Sequence, residues 1–190
     1  MPNRTLRQPH AALADLCDGF FDDLAFVGGC PRVGADELPP LARKLLVHRE
    51  HMTVVLEDHF GAPLELRVLA ERRDARHYAR RVLLTAGAER RVVEVGVMQM
   101  NLDSVSQAVR SEVLEKRRPL GEILVRHGVL RRISPRWYFR FPKGTPIADP
   151  FAPGDAPVYG RVGVIYCDEE PAIELLEVVA SEKREVKSER

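Results

Sequence analysis

The chain has 190 residues, 45% of them hydrophobic and 30% charged, which suits one soluble domain with a sizeable core. Lys and Arg number 29 against 28 Asp and Glu, a formal net charge of +1, so no global basic field argues for DNA or an anionic membrane. No apolar run reaches the ~18 residues of a membrane helix, and the start does not have the form of a signal peptide. Three widely spaced cysteines, Cys17, Cys30 and Cys167, fit a reduced, cytoplasmic compartment.

From the N-terminus, Ala11 to Val27 has helical spacing. Leu13, Leu16, Cys17, Phe20, Phe21 and Leu24 form an apolar stripe opposite Asp15, Asp18, Asp22 and Asp23, and Gly28-Gly29 is a stop. A Pro- and Gly-containing loop follows to Pro40, then a short helix over Leu41 to Val47. Met52 to Leu56 reads as a strand that turns at Gly61-Ala62-Pro63 and pairs back through Leu64 to Leu69 as a hairpin. His48, His51 and His59 invite a metal site, but no cysteine or paired carboxylate completes a ligand set.

The next strand, Tyr78-Ala79-Arg80-Arg81-Val82-Leu83-Leu84, carries the main anomaly. Alternate residues point to opposite faces, so Arg80 shares a row with Tyr78, Val82 and Leu84, and Arg81 shares the other with Ala79 and Leu83. An arginine on an apolar row is costly unless an anion or a hydrogen-bond network meets it. Arg91 to Met100 returns as a strand whose Gly96 marks either a bulge or a close approach of a ligand or another backbone.

Helical spacing resumes at Asp103, with Asp103 or Ser104 as cap and Val105, Ala108, Val109 and Val113 as the buried stripe. A second short helix starts at Pro119, and the joint Arg117-Arg118-Pro119-Leu120-Gly121 offers helix-start N–H groups to an anion. Arg136 to Phe141 is a strand with Trp137, Phe139 and Phe141 on its core row. The Pro-rich segment 143–157 is an irregular surface loop or a lid, and Tyr159 to Cys167 and Ala172 to Ala180 are the last two strands. Glu177 lies on the apolar row Ile173, Leu175, Val179, where it either pairs with a cation or keeps its proton. Arg80 and Glu177 could pair with each other. Six to seven strands in hairpins, with helices between them, predict an α+β fold around an antiparallel sheet.

These segments resemble the chorismate pyruvate-lyase family. Met52-Thr53, Tyr78 to Leu84, Val95-Gly96-Val97, Arg118-Pro119-Leu120-Gly121 and Glu177-Val178-Val179 stand in the order and spacing of that family's motifs, although Val97 replaces an arginine of its best-known branch. The resemblance implies a sheet of about six strands with helices closing a buried pocket, and no metal or organic cofactor. It implies cleavage of chorismate to 4-hydroxybenzoate and pyruvate, a small-molecule partner, and no nucleic acid or membrane. Arg80 would anchor the ring carboxylate, Glu177 would meet the ring hydroxyl end as acid or base, and Met52, Gly96 and Leu120 would line the pocket. Glu174 is the other candidate for the carboxylate if the register shifts. A second cation is needed for the enolpyruvyl carboxylate; Arg81 points away, leaving Arg136 and Arg140.

The resemblance runs from about His51 to Ala180, so 46–181 is the chorismate lyase-like domain, while residues 1–45 read as an N-terminal helical and loop extension of the same domain that matches nothing in the family, and 182–190 as a charged tail. The alternative is a non-catalytic protein of the same fold that binds or senses an aromatic acid. Sensors of that kind carry a separate DNA-binding domain, for which the first 45 residues are too short and too acidic.

Overall fold

The computed structural model describes residues 8–151 and 156–180. The charged tail, 182–190, lies outside the described residues. The fold is α+β: a seven-stranded, wholly antiparallel sheet with helices on both faces. In chain order the strands are β1 (Arg32–Val33), β2 (Leu64–Arg73), β3 (His77–Ala86), β4 (Arg91–Asn101), β5 (Arg131–Phe141), β6 (Val158–Cys167) and β7 (Glu170–Ala180). Across the sheet they run β1-β5-β6-β7-β4-β3-β2, so the C-terminal strand is central and β2 forms one edge. The architecture implied by the chorismate lyase resemblance is the one observed, with the two-residue β1 added beside β5.

The helices are α1 (Pro9–Cys17), α2 (Ala25–Gly28), α3 (Pro40–Leu46), α4 (Met52–Phe60), α5 (Gln107–Glu115) and α6 (Leu120–Arg126). Three expectations need correction. The predicted helix over 11–27 is two helices, because Gly19 takes φ +68° and the chain turns there. The predicted strand over Met52 to Leu56 is α4: Met52 and Leu56, four residues apart, are its buried positions, and the helix ends at Gly61 in the left-handed region. Its β-branched Thr53, Val54 and Val55 favour strand only weakly against that helical burial pattern. The hairpin partner of β2 is therefore β3. The cap of α5 is Ser106, whose hydroxyl accepts from the Val109 N–H at 3.3 Å; Asp103 and Ser104 belong to a preceding turn of 3-10 helix.

Strand alternation divides the interior into two faces. On one, α1, α2 and the loop after β5 cover a continuous apolar core of Leu13, Leu16, Phe20, Ala79, Leu83, Val95, Val97, Phe139, Phe141, Leu176 and Val178. Ile147 and Phe151 from the Pro-rich loop are buried in this core, so the described part of that loop plugs the sheet's back. Arg81 also points to this side, donating from Nη1 to the Phe20 carbonyl at 2.8 Å and lying 4.7 Å from the Phe21 ring centre. On the other face the apolar packing falls into two separate clusters, one under α5 and α6 and one under α3 and α4. The polar residues gather between them.

Candidate functional site

On the face carrying α3 to α6, four strands contribute one residue each to a lateral row: Val82 (β3), Gly96 (β4), Glu177 (β7) and Arg161 (β6) stand opposite one another in register. Beside this row lies a cavity of about 80 Å³ walled by Arg80, Val82, Leu84, Glu94, Met98, Leu175 and Glu177 of the sheet. The opening turns of α4 and α6 complete it with His51, Met52 and Thr53, and with Pro119, Leu120 and Gly121. Neither helix start carries a side-chain cap, so first-turn N–H groups and the positive ends of both helix dipoles lie at the cavity.

Met52, Arg80, Leu120 and Glu177 thus converge on one cavity. Gly96 lies in the adjoining row rather than in the wall. A Cβ there would stand 3.0 Å from both Glu94 Oε1 and Val82 Cγ2, so the missing side chain makes room for the Glu94 carboxyl. Gly121 is a second close approach: a Cβ would lie 2.9 Å from His51 Cγ, and the imidazole occupies that space. Arg131 Nε donates to His51 Nε2. Burial, then the nearby Arg131 and Arg161, lowers the His51 pKa to about 4, so the ring is neutral at pH 7.

Arg80 is 2% exposed. Its Nη2 donates at 3.4 Å to the Arg118 carbonyl, and its buried Nη1 has no acceptor among the described residues. Burial lowers the guanidinium pKa from its ordinary value, while Tyr78 and Glu71 oppose that shift. The Tyr78 hydroxyl itself donates to Glu71 at 3.0 Å.

Glu177 does not pair with Arg80. Its partner is Arg161, 0% exposed, whose Nε donates to Glu177 Oε2 at 2.5 Å. Arg161 Nη1 donates to the Leu46 and His48 carbonyls, each at 3.0 Å, and so ties the α3–α4 connection to the sheet. Glu94 is 4% exposed and its Oε2 has no donor among the described residues. Burial, reinforced by the charge of Glu177 and opposed by Arg161, raises its pKa well above the carboxylate range. Burial and the neighbouring Glu177 thus favour the protonated form of Glu94.

Several expected participants lie elsewhere. Glu174 alternates to the other face of β7, and Arg136 donates from Nη2 to the Tyr166 hydroxyl at 2.7 Å on the surface. Arg140 is exposed, and neither Arg136 nor Arg140 reaches the cavity wall, which contains Arg80 as its one arginine or lysine among the described residues. The three histidines have separate partners: His48 bonds the Leu45 carbonyl, His51 bonds Arg131 and His59 bonds Lys44. No group of three His, Cys, Asp or Glu is placed to hold a metal among the described residues. Glu94 and Arg161 did not emerge from the sequence as site residues, and His51 did so only as a possible metal ligand. Strand alternation contained the signal for two of them, since Glu94 shares its row with Gly96 and Met98, and Arg161 its row with Tyr159 and Gly163.

No protein-family model and no curated protein matches the chain. Among solved structures it is similar to PhnF from Mycobacterium smegmatis, at 12% identity and a TM-score of 0.54, covering 70% of this chain and 65% of that one. A separate crystal structure of the PhnF effector domain gives 14% identity and a TM-score of 0.49, covering 71% of this chain and 90% of that one. The chain therefore spans about 65% of the length of PhnF, and at this identity the likeness is one of fold.

Proposed function

We propose that the chain binds a small monocarboxylate, held by Arg80 in the cavity beneath α4 and α6. The observation that carries this reading is the buried Arg80 Nη1, a charged donor without an acceptor in the cavity wall. A ligand carboxylate supplies that acceptor through a charge-assisted hydrogen bond, and the uncapped start of α4 favours the same charge. One cation and two glutamates in the wall favour a single negative charge on the ligand. Chorismate brings two carboxylates, and its enolpyruvyl carboxylate would meet no second arginine or lysine there. At about 80 Å³ the cavity is also smaller than the ~150 Å³ that accommodates benzene in an engineered apolar core, so an aromatic acid requires the helices to give way.

Calorimetric titration with benzoate and 4-hydroxybenzoate tests the assignment. Arg80→Met is expected to weaken both by about tenfold to a hundredfold, the loss of one charged hydrogen bond, with the fold intact. Equal affinity in the variant would remove Arg80 from the site.

Lyase action on chorismate is the second reading, favoured by the convergence of Met52, Arg80, Leu120 and Glu177 on one cavity. In it, a ring proton and the enolpyruvyl group leave together, the ring becomes aromatic and the departing enolpyruvate becomes pyruvate. Glu177 would serve as acid or base, but Arg161 already engages its Oε2. Pyruvate release on incubation with chorismate, abolished in Arg80→Met, would establish turnover. Binding of 4-hydroxybenzoate without turnover would establish the binding role.

A further inference from the structure

We propose that Glu94 is the second binding pole of this cavity, a carboxylic acid that donates a hydrogen bond to a neutral oxygen at the end of the ligand remote from its carboxylate. This rests on the carboxylate reading of Arg80 and adds what the other end of the ligand must be.

The two poles are set apart by register. Arg80 stands opposite Met98 on β4, and Glu94 is four residues further along that strand, roughly 13 Å of extended backbone. Both belong to the cavity wall, and each presents a buried polar atom without a partner, Nη1 on Arg80 and Oε2 on Glu94. The space beside Glu94 is supplied by Gly96, whose hydrogen lies where a Cβ would meet Oε1 at 3.0 Å.

The chorismate lyase resemblance assigns the ring hydroxyl end to Glu177. Here Arg161 Nε is committed to Glu177 and Arg161 Nη1 to two backbone carbonyls; Arg161 Nη2 is buried without a hydrogen-bond partner and makes no bond to Glu94, whose Oε2 is likewise unpartnered. Two buried carboxyls beside one guanidinium do not both ionise readily, because the second charge is both desolvated and repelled by the first. The raised Glu94 pKa has these same two causes, burial first and Glu177 second. A protonated carboxyl has one O–H donor and retains acceptor capacity.

The ligand chemistry follows. A second carboxylate or a phosphate at this end would face Glu177 and a carboxylic acid. A purely apolar end would leave the buried O–H unmet, and sites built to hydrogen-bond a polar group discriminate against analogues that lack it. A hydroxyl or carbonyl oxygen satisfies the site.

The experiment compares 4-hydroxybenzoate with benzoate, identical at the carboxylate and different at the far end. The parent chain is expected to bind 4-hydroxybenzoate about tenfold more tightly, Glu94→Leu to bind the two equally, and Glu94→Gln, whose amide still donates, to retain the preference. An infrared difference spectrum between the parent and Glu94→Gln is expected to show the C=O stretch of a buried carboxylic acid, a readout independent of ligand. An undiminished preference in Glu94→Leu, or absence of that band, overturns the role of Glu94 while Arg80 continues to anchor both acids. Failure of the parent to bind either acid removes the carboxylate reading itself, and the inference with it.

Discussion

The two faces of the sheet are built by the same alternation and end differently. The face under α1 and α2 is closed by apolar packing, and its charged intruder, Arg81, finds the Phe20 carbonyl and the Phe21 ring at the edge of the core. The face under α3 to α6 is divided by Arg80, Glu94, Arg161 and Glu177, and some of its buried polar atoms have no partner. An arginine on a strand is therefore not a sign of function in itself. The distinction lies in what surrounds it: each of these adjacent arginines keeps one buried nitrogen unpartnered, but Arg81 is packed against the Phe20 carbonyl and the Phe21 ring, whereas Arg80 stands in a cavity wall.

The largest effects come from disrupting either face and reading the other. Arg161→Leu removes the partner of Glu177 and two bonds to the α3–α4 connection, and is expected to cost about 3–5 kcal/mol in urea unfolding while abolishing carboxylate binding. Phe139→Ala, in the closed face, is expected to cost a similar ~3–5 kcal/mol yet leave the affinity of the folded protein unchanged. Equal loss of affinity in both variants would dissolve the contrast. Gly96→Ala is next: overpacking Glu94 and Val82 costs about 1–3 kcal/mol and is expected to weaken binding measured by calorimetry. Arg81→Gln is smaller, about 1 kcal/mol of stability from the lost ring contact, with binding unaltered.

Within the face that carries the cavity, two groups respond to pH in opposite senses. His51 has its folded-state pKa lowered from 6.5 to about 4, so the unfolded chain takes up its proton first. Stability is fully present above pH 6.5 and is lost progressively as pH falls towards 4. Glu94 acts in the opposite sense. Its raised pKa gives stability that is present below 4.5 and declines as pH rises through the folded-state value. Denaturant midpoints across pH are expected to lose the first slope in His51→Gln and the second in Glu94→Gln.

Much of this was legible in the sequence because strands declare their faces every second residue. Arg80, Glu177 and the opposite orientation of Arg81 follow from that rule and from the pairing of hydrophobic rows. The identity of Glu177's partner does not, since register between β6 and β7 is a tertiary property; it brings Arg161 opposite Glu177. The helix at Met52 was obscured by local chemistry, three β-branched residues together, while its function-bearing end depends on packing against α6. Gly121 was legible as part of a motif, but the imidazole that requires it lies 70 positions earlier in the chain.

That contact between His51 and Gly121 has a kinetic consequence. The ring is packed against the backbone of α6, so any outward movement of the start of α4 exposes this contact. Replacing Gly121 by Ala is therefore expected to separate the two helix starts and to change the association rate of a carboxylate, read by stopped flow, more than a substitution outside the cavity does. Residence time would then report on the fit between His51 and Gly121 as well as on Arg80.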